Sequence, residues 1–333
     1  PVPFEELAPG DLVFFGTEEK IDHVGFWAGH DEVLQATTAG VPSTQETPWA
    51  SPRLAPRFRY ARRLAALPGA PRPSGLTPAK AGALGRALDA LAAEGGATFG
   101  IVVKDLQTGG TLARNATTVM HAASTMKTAV LLEALRRVDA GTLSLATGVP
   151  VVDCFPSAVD GSPFRVSLDG ENETRLAPFL GNAARLDFVA REMIVRSSNA
   201  ATNLMLGLCP PKEVQAFVDL LGAGGVKVRR MVEDEKAYEA GLSNETDAAG
   251  MAALMEAAVR SPRLSSGSRR HAFEILAAQE YNDQIPAGIP RQAGAVVAHK
   301  TGSISKVQHD AAVVRLPDGR EYVITLAPGR HTP

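Results

Sequence analysis

One run divides the chain: Ala65-Ala66-Leu67-Pro68-Gly69-Ala70-Pro71-Arg72-Pro73-Ser74-Gly75. Proline fixes φ and removes backbone donors, and glycine weakens any regular element, so an extended linker is predicted over 65–77. Residues 1–64 are too few for a comfortable core of their own. Residues 78–333 suffice for one large domain. At 45% hydrophobic and 21% charged, the chain is globular rather than disordered. Thirty-four basic against 36 acidic residues leave a net charge of −2, with no global pull toward nucleic acid or an anionic membrane. No apolar stretch approaches the roughly 18 residues of a spanning helix. Two cysteines, Cys154 and Cys209, cannot build a disulfide framework or a cysteine-rich zinc site. The seven histidines lack a spacing such as His-Glu-x-x-His, so no metal and no cofactor is expected. Pro1 follows no Met and no apolar leader, and the sequence reads as a fragment or processed product.

Before the linker the pattern is β-rich. Asp11–Phe15, His23–Trp27 and Glu32–Ala36 are short apolar runs separated by turn residues. Phe58 and Tyr60, alternating with Arg57 and Arg59, supply a stretch that can close the sheet. After the linker, helices and strands alternate. Thr77-Pro78 supplies a cap and a first-turn proline, Leu84, Leu88 and Leu91 share a face, and Gly95-Gly96 ends the helix. Phe99, Ile101 and Val103 form a strand that turns at Gly109-Gly110 into Thr111–Ala113. Further helices are predicted over 124–139, 186–208, 211–222 and 246–260. Strands are predicted over Ala295–Lys300, Ala311–Arg315 and Glu321–Leu326. Strands at both ends with helices between them imply an α+β, three-layer fold: one antiparallel sheet built from both ends, flanked by helices.

Three short motifs carry chemistry. In Ser124-Thr125-Met126-Lys127, a serine three residues before a lysine at a helix start puts both side chains on one face. The lysine accepts the serine proton when burial or nearby positive charge depresses its pKa. Ser303-Ile304-Ser305-Lys306 fits the same pattern but is predicted to lie between two strands, so the first match is preferred. Ser197-Ser198-Asn199 opens another apolar helix, and Lys300-Thr301-Gly302-Ser303 ends a strand. In this order the trio is similar to the Ser-x-x-Lys, Ser-Asp-Asn and Lys-Thr-Gly signature of class A β-lactamases and penicillin-binding proteins. Residues 78–333 thus resemble that serine-hydrolase family, its non-lactamase relatives included.

The resemblance implies roles. Ser124 is the acylating nucleophile, Lys127 its proton acceptor, and Ser197 the relay to the leaving nitrogen. Asn199 orients Lys127 and binds the substrate amide. Lys300 adds positive potential, Thr301 and Ser303 hold the substrate carboxylate, and Gly302 lets the acyl group approach. The backbone N–H groups of Ser124 and Ser303 form the oxyanion hole. Ser198 departs from the usual Asp. No clean Glu-x-x-Leu-Asn marks the deacylating base, and Glu233 is the candidate. The family's last long helix has no counterpart in Ala327–Pro333.

Residues 1–64 resemble the C-terminal part of an NlpC-type cell-wall cysteine peptidase, through Pro9–Phe15, Asp22-His23-Val24-Gly25-Phe26, Leu34-Gln35-Ala36 and Tyr60–Arg63. The resemblance makes His23 and Gln35 the remnant of a papain-like site whose cysteine is missing. The function expected is β-lactam hydrolysis through an acyl-enzyme, with a β-lactam or a peptidoglycan stem peptide as partner and a periplasmic or secreted location. The alternatives are a D-Ala-D-Ala peptidase or esterase on the same fold, and a slowly acylated binding module.

Overall fold

The computed structural model describes residues 3–7, 11–17, 19–29, 32–37, 43–48, 52, 54–62, 75–95, 98–305 and 307–329. The chain forms two compact units, Pro1–Pro73 and Ser74–Pro333. Most of the predicted linker, residues 65–74, lies outside the described residues, as do residues 63 and 64 and Lys306.

The first unit is an antiparallel sheet of β1 (Leu12–Gly16), β2 (Ile21–Gly29), β3 (Glu32–Thr37), β4 (Ser43–Pro48) and β5 (Phe58–Arg62), ordered β4-β3-β2-β1-β5. Val13, Phe15, Trp27, Val33, Leu54 and Ala61 form its core. β4 was not predicted: Ser43-Thr-Gln-Glu-Thr-Pro48 has no apolar alternation and is held as an edge by pairing with β3.

The second unit begins with α1 (Pro78–Gly95), whose first turn is capped when Lys80 N–H donates to Thr77 Oγ1 at 3.3 Å. β6 (Thr98–Asp105) and β7 (Thr111–Arg114) follow as a hairpin. Six short strands, β8 (Met120–His121), β9 (Gly148–Pro150), β10 (Cys154–Pro156), β11 (Pro163–Arg165), β12 (Ala183–Arg185) and β13 (Glu245–Thr246), pair as β8–β13, β9–β12 and β10–β11. The helices are α2 (Lys127–Asp139), α3 (Leu186–Val195), α4 (Asn199–Leu208), α5 (Pro211–Leu220), the short α6 (Glu235–Glu239), α7 (Ala248–Arg260) and α8 (Ser266–Ala277). β14 (Val296–Ile304), β15 (Val307–Arg315) and β16 (Glu321–Gly329) complete the main sheet, ordered β14-β15-β16-β6-β7. β16 pairs with β6 from Tyr322 to Gly329, so the strands from the two ends of this unit meet at the centre of the sheet.

Two predictions are corrected. The helix expected over 186–208 is broken into α3 and α4 at Arg196–Ser198, where Ser197 adopts φ 59°. Ser303, expected between strands, lies on β14 opposite Gln308, because the strand continues through the Lys-Thr-Gly motif. α2 is the central pillar: every residue from Lys127 to Leu135 is buried. Leu131, Leu132 and Leu135 each contribute about 1.5–3 kcal/mol by leaving water. That burial fixes the position of the turn before α2, where the candidate nucleophile sits.

Candidate active site

Ser124 lies in a 3₁₀ turn, Ala123–Met126, that runs directly into α2. The turn is held from both sides. Thr125 Oγ1 donates to Ala122 O at 2.7 Å, and Ala123 N–H donates to His121 Nδ1 at 3.0 Å. Ala123 has φ 47°, a left-handed conformation that a non-glycine residue keeps only when its surroundings impose it.

Lys127 follows one turn later and is fully buried. Its Nζ donates to Ser197 O (2.7 Å), Asn199 Oδ1 (2.8 Å) and Ser197 Oγ (3.3 Å). Among the described residues, no hydrogen bond joins it to Ser124. Burial pushes Lys127 down to about 7, and the charges of Glu173 and Glu233 oppose that fall. Near neutrality a large fraction of this amine is therefore unprotonated and able to accept a proton.

The break between α3 and α4 places Ser197 and Asn199 around that amine. Ser198 caps α4, its Oγ accepting from Ala201 N–H at 2.9 Å. Ser197 Oγ sits between two lysines, because Lys300 Nζ donates to it at 3.1 Å. Lys300 is fully buried on β14, and burial, then the charge of Lys127, pushes it far below an ordinary lysine, with Asp310 opposing. Burial and nearby positive charge were both expected to lower Lys127, and burial is the foremost cause in the structure.

β14 is an edge strand. Among the described residues its outer backbone groups have no strand partner, so a substrate laid along it finds free donors and acceptors. Gly302 explains how close this strand comes to the nucleophile. A Cβ there would stand 3.0 Å from Thr125 N and 3.1 Å from Ser124 N. Only glycine allows that approach. Ser124, Asn199 and Ser303 line two hollows, of about 300 Å³ and 340 Å³. The first is completed by His121, Arg230, Glu233 and Tyr238, the second by Ser197, Tyr281, Asp283 and Thr301.

Glu233 has φ 64° and accepts from Asn199 Nδ2 at 2.7 Å. Its loop is tied to α4 by Asn203, which bonds both the N–H and the C=O of Val232 at 2.9 Å. Asp234 anchors the other side through Ala158 N–H at 2.7 Å and Ser157 Oγ at 2.9 Å. Sequence reasoning missed Asn203, Arg230, Tyr238 and Glu173. Arg230 lies 5.4 Å over the Tyr238 ring and is nearly buried. Glu173 is buried and bonds the Ser197–Asn199 turn. No short motif marks any of them.

Residues 83–331 match the model of the β-lactamase enzyme family. The chain belongs to that family. Its second unit is accordingly a β-lactamase-type domain. PBP-A matches with 26% identity and TM-score 0.59 over 70% of this chain and 82% of its own. A mutant of PBP-A solved as an acyl-enzyme complex with penicillin G matches at 26% identity and TM-score 0.62, covering 75% and 88%. A β-lactamase from Xanthomonas campestris shares the fold at 21% identity and TM-score 0.65, covering 76% and 91%. No curated protein matches the chain. Residues 2–57 match the NlpC/P60 family. In that unit His23 lies on β2 opposite Phe15, with ring centroids 5.9 Å apart. Gln35 pairs with Gln45, and its side chain lies outside the described residues. Both cysteines belong to the β-lactamase-type unit. No described helix is long and apolar enough to cross a membrane.

Proposed function

We propose that this β-lactamase-family protein is a serine hydrolase that opens β-lactams through an acyl-enzyme on Ser124. The observation that carries the reading is the buried Lys127 amine, brought to about 7 and bonded to the Ser197–Asn199 turn beside Ser124. Ser124 Oγ bonds to the lactam carbonyl carbon as its proton passes to Lys127 Nζ. The oxyanion is received by the N–H groups of Ser124 and Ser303. The proton then moves through Ser197 Oγ to the ring nitrogen as the carbon–nitrogen bond breaks. Lys300, Thr301 and Ser303 receive the substrate carboxylate, and Asn199 its amide side chain. In the second half, Glu233 takes a proton from water, the water oxygen attacks the ester, and Ser124 leaves with a proton returned to it. No cofactor is required.

A second reading has one observation in its favour: the likeness to PBP-A, with a relative trapped as a penicillin G acyl-enzyme. On that reading the protein is a D-Ala-D-Ala peptidase, or a binder that acylates and stalls. β-Lactams and stem peptides are met outside the cytoplasmic membrane, so we infer a periplasmic or secreted location and, for the lactamase reading, a contribution to antibiotic resistance. Stopped-flow kinetics with a chromogenic cephalosporin separate the readings. Steady turnover after the first equivalent is expected. A single burst that stalls supports the binder, and no reaction together with release of D-Ala from a stem peptide supports the peptidase.

A further inference from the structure

The Ser197–Asn199 turn is held by a residue that none of the three motifs contains. Glu173 ends a 3₁₀ turn, Glu171–Glu173, and its side chain is only 4% exposed. One carboxylate oxygen accepts from Asn199 N–H at 2.7 Å and from Ala200 N–H at 3.4 Å. The other accepts from Ser198 Oγ. All three bonds run from the turn to the carboxylate, at the positive end of α4. Ser198 has no charge of its own, yet it points directly at one.

We propose that Glu173 is the positioning residue that shapes the Ser197–Asn199 turn around Lys127 and supplies the negative charge that position 198 lacks. The inference rests on the acyl-transfer reading above. The turn needs such a clamp because Ser197 is held at φ 59° while its carbonyl and hydroxyl, with Asn199 Oδ1, surround the Lys127 amine. Bonds from the Ser198 hydroxyl and from the Asn199 and Ala200 N–H groups to one buried carboxylate fix the three residues that follow that strained one. Glu173 also acts on the proton. The charged groups that face Lys127 are Glu173, Glu233 and Lys300, and Glu173 is foremost among those opposing the effect of burial. Tyr281 lies within reach of the Glu173 charge from its other neighbourhood. Acylation requires neutral Lys127, so its rate falls as pH drops through the lysine pKa. Removing an anion lowers that pKa and moves the acid limb toward lower pH.

The test is the pH profile of covalent labelling by a fluorescent penicillin, with the titration of Lys127 followed in parallel by NMR of ¹³Cε-lysine. Glu173→Gln is nearly isosteric. Its acid limb is expected to move about one pH unit toward acid. Its plateau is expected to fall by roughly tenfold as the turn loosens. Glu173→Asp keeps the charge and shortens the reach, so its limb stays and only its plateau falls. Ser198→Asp alone sets a second carboxylate against Glu173 and is expected to be worse than either. Combined with Glu173→Gln, it restores limb and plateau toward the parent. A Glu173→Gln limb and Lys127 titration that coincide with the parent's overturn the proposal, as does a double variant no better than Glu173→Gln. If the parent takes up no penicillin, the β-lactam reading fails, and the NMR titration still decides the role of Glu173.

Discussion

Replacing Lys127 by methionine should change stability in a way that depends on pH. A lysine brought from 10.5 to about 7 by burial costs the fold roughly 4–5 kcal/mol at pH 7. Between pH 7 and 10 Lys127 holds one more proton in the unfolded chain than in the folded protein. Its contribution to the parent's stability therefore rises with pH across that window, by about 1.4 kcal/mol per unit. Below pH 7 this contribution is flat. Lys127→Met removes this part of the slope, while the part due to Lys300, also held low in the fold, remains. It also strands the acceptors Ser197 O and Asn199 Oδ1, at about 1–3 kcal/mol for each left unsatisfied, a cost that pH does not change. The variant should thus compare best with the parent at pH 7 and lose ground steadily to pH 10. Urea unfolding followed by far-UV circular dichroism is the suitable assay, because the described α-helices lie in the β-lactamase-type unit. Tryptophan emission would follow the wrong unit, since Trp27 and Trp49 both belong to the first. A stability difference that is constant from pH 7 to 10 would refute the neutral lysine, and with it the base role.

Two further substitutions test separate parts of the site. Glu233→Gln keeps an oxygen to accept from Asn199 Nδ2 but cannot take a proton. Pre-steady-state kinetics should show an intact acylation burst and turnover lower by about 10²–10⁴-fold. Unchanged turnover would leave Glu233 without a catalytic role. Gly302→Ala places a methyl 3.0 Å from Thr125 N and 3.1 Å from Ser124 N, and such overpacking costs about 1–3 kcal/mol. Penicillin labelling should slow by roughly tenfold or more, and a normal rate would show that β14 yields easily.

Much of this site is legible in the sequence because its chemistry sits at fixed local spacings. Ser124 stands in the turn that leads into the core helix and Lys127 opens that helix one turn later, and Lys300 to Ser303 occupy one strand. What escaped was non-local or hidden by pattern. Ser197-Ser198-Asn199 reads as a helix start, but the apolar spacing continues from α3 into α4, so the periodicity runs the two together and does not announce the left-handed Ser197 between them. α8 begins Ser266-Gly-Ser-Arg-Arg and carries too weak an apolar face to be read without the sheet it packs on. Asn244 fits a glycosylation pattern but is buried, its amide bonding Arg230 O at 3.0 Å and Arg229 N–H at 2.8 Å. Glu173 and Arg230 reach the site from loops whose course is set by tertiary packing, so their proximity is not written at any sequence spacing.

The central claim is that Ser124 is acylated, and intact mass spectrometry after brief exposure to a penicillin tests it most directly. The account predicts one acyl group per chain, located by proteolysis on the peptide bearing Ser124 and absent from Ser124→Ala. An unmodified parent, or an adduct that persists in Ser124→Ala, would contradict it.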